Sequence, residues 1–274
     1  MKHGAVSFAY MLVASAHQYN AMHYKNAIAR LPSATCAQGL TTSILGAPDA
    51  QKTRRQFDAY ISTLLGLGLT VTVLPEQPAY PDSHFVEDTA VVGPEFAVLT
   101  HPGAPSRRGE TATIEPVLWR YRTVTRMSAE AHMDGGDVLM VDKRFFVGLT
   151  SRTDEAGVRE FAAAVEPFGY QVNAIEVSDG LHLKSIVNYV GRNTLILNEE
   201  GARNPAFAGY SHLILNKDEE YAGNTLWIND TLITPSGYPD TLAKLQTIGL
   251  PILQLDTSEI KKMDGGLTCL SLRF

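Results

Sequence analysis

The sequence has little cysteine and no apolar run long enough to span a membrane. Cys36 and Cys269 could form one disulfide but not a framework of them, which favours a reducing compartment and predicts a cytoplasmic protein. The longest uncharged apolar segment, residues 5–16, is far shorter than the roughly 20 residues that a bilayer span requires. We therefore expect no membrane span.

An excess of basic residues is also missing. The chain has 23 Lys and Arg against 29 Asp and Glu, a net charge of -6, so neither nucleic acid nor an anionic membrane would attract it as a partner. A small cationic ligand is compatible with this charge. The sequence contains no Gly-x-Gly-x-x-Gly, no phosphate loop and no His-Glu-x-x-His, which removes the usual nucleotide and zinc-protease sites.

The first 21 residues are expected to lie outside the core fold. Lys2 precedes the apolar segment and Ala14-Ser-Ala16 ends it, which is the outline of a short signal peptide. An upstream start would look the same, so we expect an amino-terminal extension, with export as the alternative. Residues 22–274 are then predicted to form a single catalytic domain.

The rest of the chain repeats one order of elements: hairpin, helix, strand. Apolar spacing predicts helices over residues 50–65, from 153 or 154 to about 165, and from about 240 to 248, each followed by glycine and a strand, at 69–74, 170–177 and 251–255. A first strand is predicted at residues 24–30, and hairpins at 85–92 with 96–100, 137–141 with 145–149, 186–190 with 194–197, and 226–228 with 232–234. Four or five such α/β units predict one domain that closes on itself, with functional residues at its centre.

The carboxyl-terminal stretch contains a candidate nucleophile. From Leu267 the residues alternate between a mostly apolar set and a more polar set, which predicts a half-buried strand. Cys269 lies on the more polar face, after Gly265 and Gly266. A lone cysteine is most often a small buried hydrophobe, but this position favours a reactive thiol.

Two acidic residues, Glu87 and Asp88, occur inside the predicted strand 85–92. A buried carboxylate requires a cation, strong donors or a cationic ligand. Because neighbouring strand residues face opposite sides, we expect Asp88 to be the one that faces a ligand. An internal salt bridge to an arginine is the alternative.

A histidine, a glycine turn and three loop arginines complete the candidate set. His182 lies between leucines, where a general base would be desolvated, although a histidine so placed is more often a structural core residue. Asp134 precedes the turn Gly135-Gly136, where local amide bonding is the alternative. The loop arginines Arg107, Arg108 and Arg152 could hold a carboxylate in a two-pronged fork, or could be surface charge.

Together these stretches resemble the dimethylarginine dimethylaminohydrolases, members of the pentein (guanidino-group modifying) superfamily. The resemblance runs from about Tyr24 to Phe274 and is carried by KNAIAR, QGLTTS, PDSHFVEDTAVV, HPGAPSRRGET, MDGGDVLM, FVGLTSRTDEAG, LHLKS, PSGYP and DGGLTCLSLRF. It implies a five-fold pseudo-symmetric α/β propeller that hydrolyses methylated arginine, a small cationic substrate, to citrulline and an alkylamine. It implies no required metal or organic cofactor, it is compatible with a homodimer, and it connects the protein with nitric oxide regulation.

The resemblance also assigns roles to residues. Cys269 matches the nucleophile, His182 the general acid and base, and Asp134 the carboxylate that accompanies the histidine. Positions that match substrate-binding residues are the acidic wall of Asp82, Glu87 and Asp88, the carboxylate-gripping Arg107 and Arg152, and the pocket residues Leu40 and Met263. The chain departs from some relatives with aspartate at 134, methionine at 263 and His84. The first two lie in the implied pocket and bear on substrate preference more than on reaction type.

Three alternatives stay open at this point. Arginine deiminases share the chemistry, but they tend to be longer and to carry Arg-Asp where Glu87-Asp88 stands and Asp where Lys184 stands. A non-catalytic pentein protein would show no ordered set of Cys, His and acids. Cys269, His182 and Asp134 could together bind zinc, although no closely spaced ligand pair would anchor the ion.

Overall fold

The computed structural model describes residues 23–178 and 180–274, so the predicted amino-terminal extension lies outside the described residues. The described helices are α1 (Ala50–Gly66), α2 (Thr111–Leu118), α3 (Glu155–Val165), α4 (Glu199–Arg203), α5 (Pro239–Gln246) and α6 (Ser258–Lys261). The described strands are β1 (Asn26–Arg30), β2 (Thr70–Leu74), β3 (Ala90–Val92), β4 (Ala97–Leu99), β5 (Val124–Arg126), β6 (Val138–Val141), β7 (Arg144–Leu149), β8 (Gln171–Glu176), β9 (Val187–Tyr189), β10 (Thr194–Leu197), β11 (Ser211–Ile214), β12 (Leu226–Ile228), β13 (Thr231–Pro235), β14 (Ile252–Leu255) and β15 (Leu272–Arg273). None of these helices has the length and apolar character needed to cross a bilayer.

The strands form five three-stranded sheets of one pattern. Their orders are β15-β1-β2, β3-β4-β5, β6-β7-β8, β9-β10-β11 and β12-β13-β14. In every sheet the first strand pairs antiparallel with the middle strand, and the middle strand pairs parallel with the third. The sheet that contains the first and the last of the described strands closes the set, with Ala27 opposite Arg273 and Ile28 opposite Leu272. The predicted serial units are confirmed, and there are five of them.

The predicted helices form where their apolar spacing places them. Asp49 caps α1 by accepting a hydrogen bond from the Lys52 amide at 2.6 Å, and the face of Phe57, Tyr60 and Leu64 is buried against Ala27 and Ala29 of β1. Such a cap satisfies one of the amides that a helix start leaves open. Asp154 caps α3 in the same way through the Gly157 amide, at 2.7 Å. The apolar faces therefore dock each helix on its own sheet.

Two predicted strands are wrong in part, and both corrections affect the site. Residues Val86–Thr89 form a 3-10 turn, so only residues 90–92 of the expected strand 85–92 are extended. Residues Thr268–Leu270 form another, and the expected carboxyl-terminal strand is reduced to Leu272–Arg273. In both turns, hydrogen bonds that involve side chains take the place of backbone pairing between strands. The Thr268 amide donates to Asn224 Oδ1 at 2.9 Å, and Thr89 Oγ1 donates to the Val86 carbonyl at 2.6 Å. Helix α2 was not predicted, because Pro116 lies inside it.

Candidate active site

A short 3-10 turn precedes the first strand of every sheet, and these five turns meet at a cavity of about 130 Å³. The turns are Val86–Thr89, Gly135–Asp137, Leu183–Ser185, Lys217–Gly223 and Thr268–Leu270. Each contributes to the lining, with Glu87, Gly136, Lys184, Tyr221 and Cys269 as examples. The chain thus brings residues far apart in sequence to one point, as the closed repeat predicted.

Cys269 and His182 both line this cavity. Cys269 is partly exposed and carries no disulfide. Its amide bonds the Gly266 carbonyl at 3.3 Å, which holds it within the turn. Burial and then the negative charges of Glu87 and Asp88 raise the pKa of the Cys269 thiol to about 12. In the free protein this group is therefore a protonated thiol beside a wall of acids.

His182 is held from one side by Asp134. Its Nε2 lies 3.0 Å from Asp134 Oδ2, while Asp134 Oδ1 accepts from the Gly103 amide at 3.0 Å. Burial lowers the pKa of His182, but the carboxylates of Asp88 and Asp134 outweigh burial and raise that pKa to about 9. Burial works against Asp134 as well, yet its hydrogen bond to His182 leaves the pKa of Asp134 below its ordinary value. The pair is an imidazolium with its counter-ion.

Gly136 makes this packing feasible. A Cβ on Gly136 would stand 2.6 Å from His182 Nδ1 and 2.8 Å from Asp88 Oδ1. The Gly136 amide donates to Asp88 Oδ1 at 2.8 Å, and that oxygen lies 3.9 Å from His182 Nε2. The glycine turn after Asp134 therefore brings Asp88 and His182 together.

Asp88 and Glu87 are both buried, and both form internal salt bridges. Asp88 Oδ2 pairs with Arg107 Nη1. Glu87 Oε1 pairs with Lys184 at 2.6 Å and with Arg273 at 3.0 Å. The internal salt bridges that the sequence left as an alternative are therefore present for both residues. Glu87 Oε2 is nevertheless buried without a hydrogen-bond partner among the described residues, and Glu87 lines the cavity.

Arg107 is more enclosed than the expected carboxylate-gripping role suggests. Its Nε and Nη2 hold Glu110 in a two-pronged fork at 3.0 and 2.8 Å, and Nη2 also donates to the Phe85 carbonyl at 2.9 Å. Burial raises the pKa of Glu110, and the positive charge of Arg107 lowers it. Burial is the larger effect, so the pKa of Glu110 is raised to about 7. Arg152 is engaged less tightly, with Nη1 at 3.7 Å from Asp134 Oδ2.

The other predicted site residues lie in three places. Asp82 accepts from the Leu40 amide with both carboxylate oxygens at 3.1 Å, so it fixes the loop that exposes the Leu40 side chain. Met263 is buried in the core with Ile260, Leu267 and Leu270 and is not part of the cavity lining. Arg108 donates to the Pro102 carbonyl at 3.1 Å.

Some residues at the site were not singled out from the sequence. Asp137 accepts from the Leu183 amide at 2.9 Å and from the hydroxyls of Thr150 and Thr153 at 2.8 and 2.6 Å. It thereby fixes the backbone that follows His182. Asp137 lies inside a quoted motif and could have been assigned a role there, whereas Glu110 and Asn224 have no local pattern that marks them. Lys184 was noted from the sequence only as a departure from the deiminase pattern.

The ligand atoms of Asp88, Asp134 and His182 lie within 4.8 Å of one another, close enough to hold a metal ion. This set differs from the zinc alternative of the sequence, which combined Cys269 with His182 and Asp134. The same three groups also form the imidazolium and its counter-ions described above. Their arrangement is therefore explained by ion pairing among themselves.

Comparison with known proteins shows that this chain is similar to several dimethylarginine dimethylaminohydrolases. Residues 47–206 match the family model described as N,N dimethylarginine dimethylhydrolase, eukaryotic. The dimethylarginine dimethylaminohydrolase of Pseudomonas aeruginosa is 38% identical over 92% of this chain and 100% of its own. The protein of the same name from Streptomyces coelicolor is 35% identical over 92% of this chain and 98% of its own.

Solved structures of proteins with this name, and of a more distant protein, are similar to this chain over most of its length. A cysteine-to-serine variant of the Pseudomonas aeruginosa enzyme in complex with citrulline has a TM-score of 0.91 and 37% identity, covering 92% of this chain and 100% of that one. A histidine-to-glycine variant of a dimethylarginine dimethylaminohydrolase, in an adduct with S-methyl-L-thiocitrulline, has a TM-score of 0.90 with the same coverages. The N-terminal domain of the arginine dihydrolase ArgZ, at 16% identity and a TM-score of 0.80, shares the fold over 90% of this chain and 97% of its own. The α/β propeller predicted from the sequence is confirmed.

Proposed function

The chain belongs to the dimethylarginine dimethylaminohydrolase family, and we propose that it hydrolyses Nω-methylated arginine to citrulline and an alkylamine. The observation that carries the proposal is that Cys269 and His182 line the same cavity, with Asp134 3.0 Å from the histidine. A nucleophile, a proton donor and its orienting acid are the groups that this hydrolysis needs.

Recognition of a planar cation rests on the acidic wall. Asp88 contacts Gly136, Arg107 and His182. Glu87 Oε2 has no hydrogen-bond partner among the described residues, so it is an acceptor that a guanidinium N–H would satisfy. We assign the α-carboxylate of the substrate to Arg152 and Arg107, with Arg152 the more available because its ion pair is longer. Leu40, held by Asp82, would cover the bound substrate; Met263 would act through the core beneath it.

The first half of the reaction replaces the alkylamine by sulfur. A bound guanidinium next to Cys269 offsets the Glu87 and Asp88 charges and lowers the pKa of the thiol, so the thiolate forms in the complex. The sulfur attacks the guanidinium carbon, and the imidazolium of His182 donates its proton to the alkylated nitrogen. The carbon–nitrogen bond breaks, alkylamine leaves, and a covalent thiouronium remains on Cys269.

The second half uses water. Neutral His182 takes a proton from a water molecule, whose oxygen attacks the thiouronium carbon. The carbon–sulfur bond breaks as the remaining hydroxyl proton of the intermediate passes to solvent, which returns the thiolate, leaves His182 protonated and releases citrulline. Asp134 holds the imidazole ring in place through both proton transfers, because its Oδ2 bonds Nε2 and its Oδ1 is fixed by Gly103.

One ion pair argues against an arginine deiminase. The two positions where this sequence departs from the deiminase pattern, Glu87 and Lys184, are in contact with each other at 2.6 Å. The departures therefore form one substituted pair and not two unrelated changes. The ordered Cys, His and acids likewise disfavour a non-catalytic protein of this fold. Our proposal further includes a single catalytic domain over residues 22–274, cytoplasmic location and, through removal of methylated arginine, a part in nitric oxide regulation.

The test is an assay of the purified chain with asymmetric dimethylarginine, monomethylarginine and free arginine, with citrulline and the amine both quantified. We expect equal amounts of citrulline and alkylamine from the methylated substrates and far less turnover of free arginine. Cys269→Ser should abolish turnover while the variant still binds monomethylarginine. Preferred release of ammonia from free arginine would support the deiminase alternative, and undiminished turnover by Cys269→Ser would reject the assignment of the nucleophile.

A further inference from the structure

The residue next to the carboxyl terminus, Arg273, contacts both turns that form the reactive part of the cavity. Its Nη1 donates to the carbonyl oxygens of Thr268 and Ser271 at 2.9 and 2.7 Å, one on each side of the segment that carries Cys269. Its Nη2 donates to Glu87 Oε1 at 3.0 Å. One planar group thus joins the turn that carries the thiol to the turn that carries the acids.

From these contacts we propose that Arg273 is a positioning residue, which fixes Cys269 relative to the acidic wall of Glu87 and Asp88. The inference rests on the proposed hydrolysis, for which Cys269 is the nucleophile. Arg273 does not line the cavity of Cys269, so it acts through the two turns and not on the substrate.

The geometry of the contact requires a guanidinium. Five N–H donors in a rigid plane can hold two carbonyls and a carboxylate at once, whereas a lysine ammonium is a point charge on a flexible chain. A further contact fixes the orientation of the Arg273 guanidinium. Its Nη1 also contacts Ser271 Oγ at 3.0 Å, and Ser271 Oγ is 2.6 Å from the Tyr60 hydroxyl of α1. Arg273 and Ser271 therefore connect the Cys269 turn to helix α1, whose Tyr60 is buried in the core.

Charge is the second part of the role. Glu87 Oε1 is shared by Arg273 and Lys184, and Glu87 is one of the groups that disfavour the Cys269 thiolate. Loss of the Arg273 charge would leave Glu87 with one cationic partner. The negative field at Cys269 would then be stronger, and the thiolate would be harder to form.

Two substitutions separate position from charge, and Arg122 supplies a matched control. Arg273→Lys keeps the charge but loses the fork, while Arg273→Gln keeps a donor and loses the charge. Arg122 also donates to backbone carbonyls, those of Gly93 and Tyr121, at 3.1 and 2.8 Å, and lies over the Phe274 ring. Arg122→Lys therefore disturbs the end of the chain without touching the Cys269 turn.

For Arg273→Lys we expect kcat to fall by roughly 10- to 100-fold with KM within about threefold of wild type, because displacement of a reacting group by about 1 Å costs rate on this scale. Alkylation of Cys269 by iodoacetamide without substrate should keep its pH profile in Arg273→Lys and move to higher pH in Arg273→Gln. Arg122→Lys should match wild type in kcat and in alkylation, at a similar melting temperature.

A kcat for Arg273→Lys within twofold of wild type would overturn the proposal. A fall in melting temperature with unchanged kcat and alkylation profile would overturn it as well, since it would show a purely structural role. If Arg273→Gln does not fold, the kcat and KM of Arg273→Lys decide alone. Failure of the proposed hydrolysis would appear differently, as absence of citrulline from the wild-type protein.

Discussion

Cys269 and His182 both hold a proton in the free protein at neutral pH, although attack on a guanidinium requires a thiolate beside an imidazolium. The thiol has a pKa of about 12, raised by burial and by Glu87. His182 has a pKa of about 9, because Asp88 and Asp134 outweigh burial. One proton must therefore leave before the reactive state forms, and a cationic substrate supplies the charge that favours its loss.

The sign of the pH dependence follows from this proton count. Below about pH 9 the free protein carries both protons, so kcat/KM should rise about tenfold per pH unit and level off as His182 loses its proton. Asp134→Asn removes a carboxylate that raises the His182 pKa, so the plateau should begin at lower pH and be lower in height. The measurement is kcat/KM for dimethylarginine from about pH 6 to 10.

Asp58→Asn is the matched control for this profile. Asp58 lies on the exposed side of α1, where it pairs with Arg54 at 2.9 Å, so its loss should leave the profile unchanged. A wild-type kcat/KM that stays flat or declines from pH 6 to 9 would show, contrary to the account, that the free protein already holds a thiolate beside the imidazolium.

The elements that carry the candidate site are short turns, and two of them, Val86–Thr89 and Thr268–Leu270, lie where the sequence pattern predicted strands. In a strand Glu87 and Asp88 would face opposite sides, whereas the 3-10 turn buries both. Alternation of apolar and polar residues cannot reveal such a turn, because the apolar members of the stretch after Leu267 are buried in either case. Helices α1, α3 and α5 and the strands that follow them could be predicted from spacing and caps, since local packing on their own sheet determines them, whereas β5 and β11 were not predicted.

Gly136, in the turn after Asp134, gives a prediction at this scale. Gly136→Ala would place a Cβ 2.6 Å from His182 Nδ1 and 2.8 Å from Asp88 Oδ1. We expect a folded protein whose kcat is lower by roughly 100-fold or more, because the histidine or the acid must move by about 1 Å. Circular dichroism and citrulline release together measure this.

Gly209→Ala serves as the control, since a Cβ there meets no atom of the described part of the chain within 4 Å. It should retain wild-type activity and melting temperature. If Gly136→Ala turned over dimethylarginine at the Gly209→Ala rate, the tight packing of Asp88 against His182 would not be needed for the reaction.

At the scale of the whole molecule, the site depends on the sheet that joins the first and last described strands, because this sheet brings the turn of Cys269 to the turns of the other units. The sheet β15-β1-β2 takes one strand from the carboxyl end and two from the amino end, and β15 begins three residues after Cys269. The repeat could be predicted because each unit shows its own periodicity. Contacts between units could not: Lys184 with Glu87 and Asn224 with Thr268 join residues 44 or more positions apart. Resemblance to a family supplied the roles of the residues, and the fold supplied their contacts.

The central claim is that Cys269 forms a covalent bond to the substrate carbon after the alkylamine has left. Acid quenching during turnover, followed by mass spectrometry of the peptide that contains Cys269, tests it most directly. Dimethylarginine and monomethylarginine lose different amines but leave the same amidino carbon on sulfur, so both should give an adduct of identical mass on Cys269. Adducts that differ by the mass of one methylene group, or citrulline formed at full rate with no adduct from either substrate, would contradict the account.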